Sequence, residues 1–70
     1  MPLSMLRPGE TYRIRKIRGE GPVKKHLSDL GFVEGEDVTL LSDLAGNLIV
    51  TIKDSRIALD KDLAKLISVA

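Results

Sequence analysis

The chain has 70 residues, with 11 Lys and Arg against 10 Asp and Glu and no cysteine. A chain this short folds as a single domain over residues 1–70 and buries only about 60% of the surface its unfolded form exposes, so one thin core must hold it. The missing cysteines exclude a disulfide framework, a thiolate metal site and a cysteine nucleophile, and a net charge of +1, split as +3 over residues 1–35 and −2 over residues 36–70, lacks the basic footprint that binding a phosphate backbone requires.

Residues 1–7 lack the basic start and long apolar stretch of a secretion signal. No later run approaches the roughly 18 apolar residues of a membrane span, so a soluble, cytoplasmic chain without membrane insertion is expected. Arg7-Pro8-Gly9-Glu10 places Pro and Gly in the order of a type II turn. Residues 11–18 then alternate Tyr12 and Ile14 against Arg13 and Arg15, which predicts a first strand with one apolar and one basic face. The alternation slips at Lys16, since Ile17 would have to point outward unless the strand bulges there. Gly19-Glu20-Gly21 is a flexible connection.

Pro22 suits the first residue of a helix, and Val23, Leu27 and Leu30 recur at i, i+4 and i+7 to build one apolar stripe. Lys24, Lys25, Ser28 and Asp29 take the wet side. Gly31 stops this helix where a left-handed cap is needed, Phe32 follows where the cap takes an apolar lid, and Gly35 turns the chain into the next strand. Residues 37–41 read as a second strand with Val38 and Leu40 inward. Leu44-Ala45-Gly46-Asn47 is a hairpin turn, and residues 48–53 form a third strand whose Leu48, Val50 and Ile52 share a face. Asp54-Ser55 turns the chain into a fourth strand over residues 56–59. Asp60 caps a single helical turn over residues 61–64 that Leu63 pins to the core, and residues 66–69 close as the last strand.

About five to six short strands, one inserted helix and a short C-terminal helical turn are too little for a two-sheet sandwich and predict a mainly β fold, a small SH3-like barrel. An internal echo fits it: Leu6-Arg7-Pro8-Gly9-Glu10-Thr11-Tyr12 and Phe32-Val33-Glu34-Gly35-Glu36-Asp37-Val38 share one pattern, as two turns each feeding a barrel strand would.

Catalysis finds little to work with, because the chain carries one histidine and scattered carboxylates, so a non-enzymatic protein without a cofactor is expected. His26 reads as a solvated surface residue, since a metal needs several converging ligands. Asp60 and Asp62 read as helix capping, not as a calcium site. Gly19 and Gly21 lack the Lys-Ser/Thr of a phosphate-binding loop. Arg13, Arg15, Lys16 and Arg18 with Lys24 and Lys25 could form a basic patch for nucleic acid, but the stacking aromatics are limited to Tyr12 and Phe32, both on core-facing positions. A proline-rich peptide groove would need aromatics as well. What remains is a surface for another protein, with Leu41, Leu44, Ile49 and Leu66 on the side opposite the core residues.

At Leu27-Ser28-Asp29-Leu30-Gly31-Phe32-Val33-Glu34-Gly35-Glu36-Asp37-Val38 the chain resembles the FeoA family, the small ferrous iron transport protein A, whose pattern is Leu-x-x-Leu-Gly-Phe/Leu/Met-x-x-Gly-x-x-Val. Leu6-x-Pro8-Gly9-Glu10, Ile14 and Ile17 before Gly19, and Ser55-Arg56-Ile57-Ala58-Leu59 with Ala64, Ile67 and Val69 continue the likeness over essentially the whole chain. The resemblance implies an SH3-like barrel with an inserted helix, no catalytic residues, and a partner, the cytoplasmic, G-protein-bearing portion of the FeoB-type membrane iron permease. It implies that Leu27, Leu30, Gly31 and Phe32 shape a helix-to-strand region whose outer surface faces that partner. The same module occurs in metal-dependent repressors of the diphtheria-toxin-repressor type. The expectation is therefore an adaptor that modulates ferrous iron uptake. The alternatives are a small-barrel nucleic-acid binder and a regulatory domain related to those repressors.

Overall fold

The alternating segment after the Pro-Gly turn forms β1 (Thr11–Ile17) in the computed structural model, which describes residues 1–70. Gly9 takes φ +93 and the Glu10 N–H donates to the Arg7 carbonyl at 3.1 Å, as a type II turn requires. β1 changes partner midway. Thr11, Tyr12 and Arg13 face the second strand and Ile14, Lys16 and Ile17 face the last, with a register shift between Ile14 and Lys16. The extra residue there is Arg15, so Ile14 and Ile17 both reach the core and the bulge expected near Lys16 is present.

Helix α1 (Gly21–Asp29) follows, with Pro22 in its first turn. Its end is a complete Schellman motif. The Phe32 N–H donates to the Leu27 carbonyl and the Gly31 N–H to the Ser28 carbonyl, each at 2.9 Å, while Gly31 holds φ +106. Phe32 and Leu27 are both fully buried, so the apolar lid is also a core residue.

Two hairpins come next. β2 (Asp37–Leu44) and β3 (Asn47–Ile52) join through Ala45 and Gly46 at φ +49 and +88, and β3 joins β4 (Ser55–Asp60) through Lys53 and Asp54 at φ +48 and +64. Positive φ at both central residues gives the turn a twist that matches the flanking strands. β2 runs past the expected stop at residue 41, because a register shift between Leu40 and Ser42 absorbs Leu41 and the ladder continues. The second turn sits one residue earlier than expected, on Lys53 and Asp54, so that Ile52 can pair with Ser55.

Helix α2 (Lys61–Ala64) is the single turn expected, capped by the Asp60 carboxylate, which accepts from the Asp62 N–H at 2.6 Å. Ala64 is buried and Leu63 is half-buried against the core. β5 (Ile67–Val69) ends the chain, one residue later than expected at its start. The strand order is β4-β3-β2-β1-β5, one antiparallel five-stranded sheet that curls so that α2 spans from β4 to β5. The core is one cluster of 15 apolar residues with no buried polar or charged residue. Two of its members lie at the start: a 3₁₀ turn at Leu3–Met5 buries Leu3, and Leu6 follows.

Candidate functional site

The helix-to-strand joint sets the geometry of the most apolar hollow on the surface. The Schellman cap turns the chain back across α1, which brings Phe32 and Val33 beside Ile17 at the end of β1. Lys24 and Ser28, one helical turn apart on α1, form one wall and Glu34 the other, around a shallow groove of about 200 Å³. Neither Lys24 nor Glu34 takes part in an ion pair within the chain, so the groove has an apolar floor and a free charge of each sign on its rim.

Of the four residues singled out by the sequence, only Phe32 is among those lining this groove. Leu27 and Phe32 have no accessible surface, so they set the shape of the region without offering side chains of their own, while Leu30 and Gly31 are half-buried. A Cβ on Gly31 would lie 3.6 Å from the Ile52 Cγ2, which shows how closely the cap rests on the end of β3. The residues left to touch a partner are Lys24, Ser28, Val33 and Glu34. Lys24 and Ser28 were legible only as the wet side of the helix, and nothing in the sequence joined them to Ile17.

A wider groove of about 370 Å³ lies across β2 and β3 between Asp37, Thr39, Thr51 and Lys53. It is polar, and Asp37 already pairs with Arg13 at 3.6 Å and Lys53 with Glu36 at 3.9 Å. Above it the outer sheet face turns apolar, with Leu41 and Leu44 exposed and Ile49 half-buried. No three His, Asp or Glu residues come close enough to hold a metal ion, and His26 is exposed on α1 with Lys25 beside it paired to Asp29 at 3.2 Å. Of the two aromatics, Phe32 is enclosed and Tyr12 is half-buried against the core, so no pair of open aromatic faces is left for successive bases to stack on.

The sequence profile of the FeoA domain matches residues 1–70. The chain belongs to the FeoA family. Solved members of the family superpose along its whole length. A crystal structure described as iron uptake regulatory protein (FeoA) aligns with a TM-score of 0.93 at 27% identity, over 100% of this chain and 93% of that one. Iron(II) transport protein A from Clostridium thermocellum aligns at 0.91 and 34% identity, over 99% of this chain and 44% of that one. FeoA of Stenotrophomonas maltophilia, solved with zinc and described as a prokaryotic SH3-domain protein and a candidate ferrous iron transport activating factor, aligns at 0.86 and 28% identity, over 100% and 89%. A manganese-dependent transcriptional repressor shares the fold, with a TM-score of 0.90 at 20% identity, over 100% of this chain and 40% of that one. No curated protein matches the chain in sequence. The SH3-like architecture and the link to ferrous iron transport thus hold for the family to which this barrel belongs.

Proposed function

We propose that the chain is a cytoplasmic, non-catalytic accessory protein of ferrous iron uptake that docks on the cytoplasmic domain of an FeoB-type permease and modulates transport. The observation that carries this reading is the full-length match to the FeoA domain, together with a surface that offers an apolar groove rimmed by an unpaired charge of each sign. No helix is long and apolar enough to cross a membrane, which fits a partner that carries the transport path itself.

Docking uses the groove behind the Schellman cap. An apolar side chain of the partner fills the floor at Ile17 and Val33, and the unpaired Lys24 and Glu34 fix its orientation, since charges at the rim of an interface select partner and approach more than they add affinity. Titrating the isotopically labelled chain with the permease's cytoplasmic domain, in each nucleotide state, tests this by NMR. Shifts are expected at Lys24, Ser28, Val33 and Glu34, and Val33→Asp is expected to weaken binding about tenfold or more, as loss of a central apolar contact does. Phe32→Ala is a poor probe, because emptying that fully enclosed site costs about 3–5 kcal/mol and unfolds a domain of this size. Absence of binding in both nucleotide states, or shifts confined to the outer sheet face, overturns the reading.

A further inference from the structure

One edge of the sheet is covered and the other is open. Along β5 the Val69 N–H donates to the Met1 carbonyl at 2.7 Å, the Met1 ammonium donates to the Val69 carbonyl at 2.9 Å, and Pro2 bridges to Ser68. β4, at the far side, pairs with β3 alone. The hairpin that delivers β4 determines which of its groups face outward. Lys53 and Asp54 form a two-residue turn, so the flanking Ile52 and Ser55 exchange hydrogen bonds, and antiparallel alternation then points the N–H groups of Arg56, Ala58 and Asp60 away from β3. No backbone bond outside the regular elements uses a group of Arg56 or Ala58.

Proteins protect such edges with charged side chains, lysine above all, with proline, or with a bulge or a covering segment. β4 reads Ser-Arg-Ile-Ala-Leu-Asp, without lysine or proline, and its register with β3 runs from Ser55 to Asp60 with no bulge. Its side chains are complementary to themselves. Arg56, Ala58 and Asp60 lie on the same outer face, all exposed, and neither Arg56 nor Asp60 has an ion-pair partner within the chain.

We propose that β4 is a homotypic interface that pairs antiparallel with β4 of a second copy, about a two-fold axis at Ala58. In that register Ala58 meets its own equivalent, whose small side chain lets the backbones approach, and Arg56 stands opposite the second copy's Asp60 twice over by symmetry. On the inner face, half-buried Ile57 gains cover from the second copy's Leu59. On the outer face Ile49 already flanks Ala58 across the β3–β4 ladder, so joining two edges makes one continuous apolar row from the two copies. This interface lies apart from the groove at α1 and does not depend on the permease reading.

Sedimentation velocity over a micromolar-to-millimolar series, read with amide exchange by NMR, tests the proposal. The expected result is a mass rising from monomer to dimer, with exchange at Arg56 and Ala58 slowing as the dimer fills while Ile57 and Leu59 stay protected throughout. Arg56→Glu turns both cross-strand attractions into repulsions and is expected to raise the dimer dissociation constant about tenfold or more. Ala58→Pro removes an N–H that only the dimer uses and has the same effect, with thermal melts confirming that each variant is folded. The proposal is overturned by a chain that stays monomeric at millimolar concentration, by a dimer whose Arg56 and Ala58 amides exchange freely, by a dimer indifferent to Arg56→Glu, or by a monomeric chain whose β4 edge is protected only when the permease's cytoplasmic domain is added.

Discussion

Gly31 and Ala45 both hold positive φ, at +106 and +49, and differ in how well their side chains suit it. Gly31 has no Cβ, and one added there would make only an ordinary contact with Ile52, so its identity is demanded by backbone conformation and not by crowding. Ala45 bears a Cβ in the left-handed region, at a cost of about 1–2 kcal/mol. Asparagine tolerates that region, and Asn-Gly is the preferred pair for this turn. Ala45→Asn is therefore expected to stabilise the fold by about 1 kcal/mol and raise the melting midpoint by about 4–8 °C, as differential scanning calorimetry would record. An unchanged or lower midpoint would show that the turn is not strained. The two hairpin turns also show what a sequence reveals at this scale. Ala45-Gly46 announced itself through its glycine, whereas Lys53 and Asp54 adopt the same backbone with no such marker, and the turn was expected one residue late.

Among the elements, α2 is the smallest and the most dependent on a single side chain. One turn of helix has almost no stability of its own, and the Asp60 carboxylate accepts a bond from the Asp62 N–H that would otherwise face water unpaired. Asp60→Ala is expected to cost about 1 kcal/mol in chemical denaturation, and Asp60→Asn to restore most of it, because the amide oxygen caps as well. Equal losses in both variants would point to charge, not to the cap. The cap was legible because an aspartate, a residue that favours the N-cap, stands directly before the single turn Lys61-Asp62-Leu63-Ala64. The bulge at Arg15 was legible for a related reason, since Ile14 and Ile17 cannot share a face at their spacing without an extra residue. The continuation of β2 past Leu41 was not, because two adjacent leucines break the alternation that marks a strand and only the partner strand shows that one of them is extra. The groove was half legible. Leu27, Leu30, Gly31 and Phe32 marked the joint, but Ile17, Lys24 and Glu34 converge from separate elements and meet only once the barrel has curled.

For the molecule as a whole, the last strand is the piece without which nothing else holds. Ile67 and Val69 are both in the core, β5 is the partner of the second half of β1, and the Ala70 N–H and carbonyl each bond to Arg13 at 3.0 Å. Deleting residues 67–70 is expected to abolish cooperative unfolding, leaving a circular dichroism spectrum without the sheet signal; a sharp melt in the truncated chain would contradict this account. Leu3 and Leu6 contribute from the opposite terminus, and the sequence did not disclose Leu3 because a lone 3₁₀ turn has no periodic signature.

The bonds between residues 1–2 and residues 68–69 carry a consequence for how the protein is made. A polypeptide is synthesised from its amino end, and here residues 1–2 find their ladder partner only in β5, the last of the five strands of this sheet to be made. The nascent domain therefore waits with its oily interior ajar until β5 has left the ribosome, and closes only then.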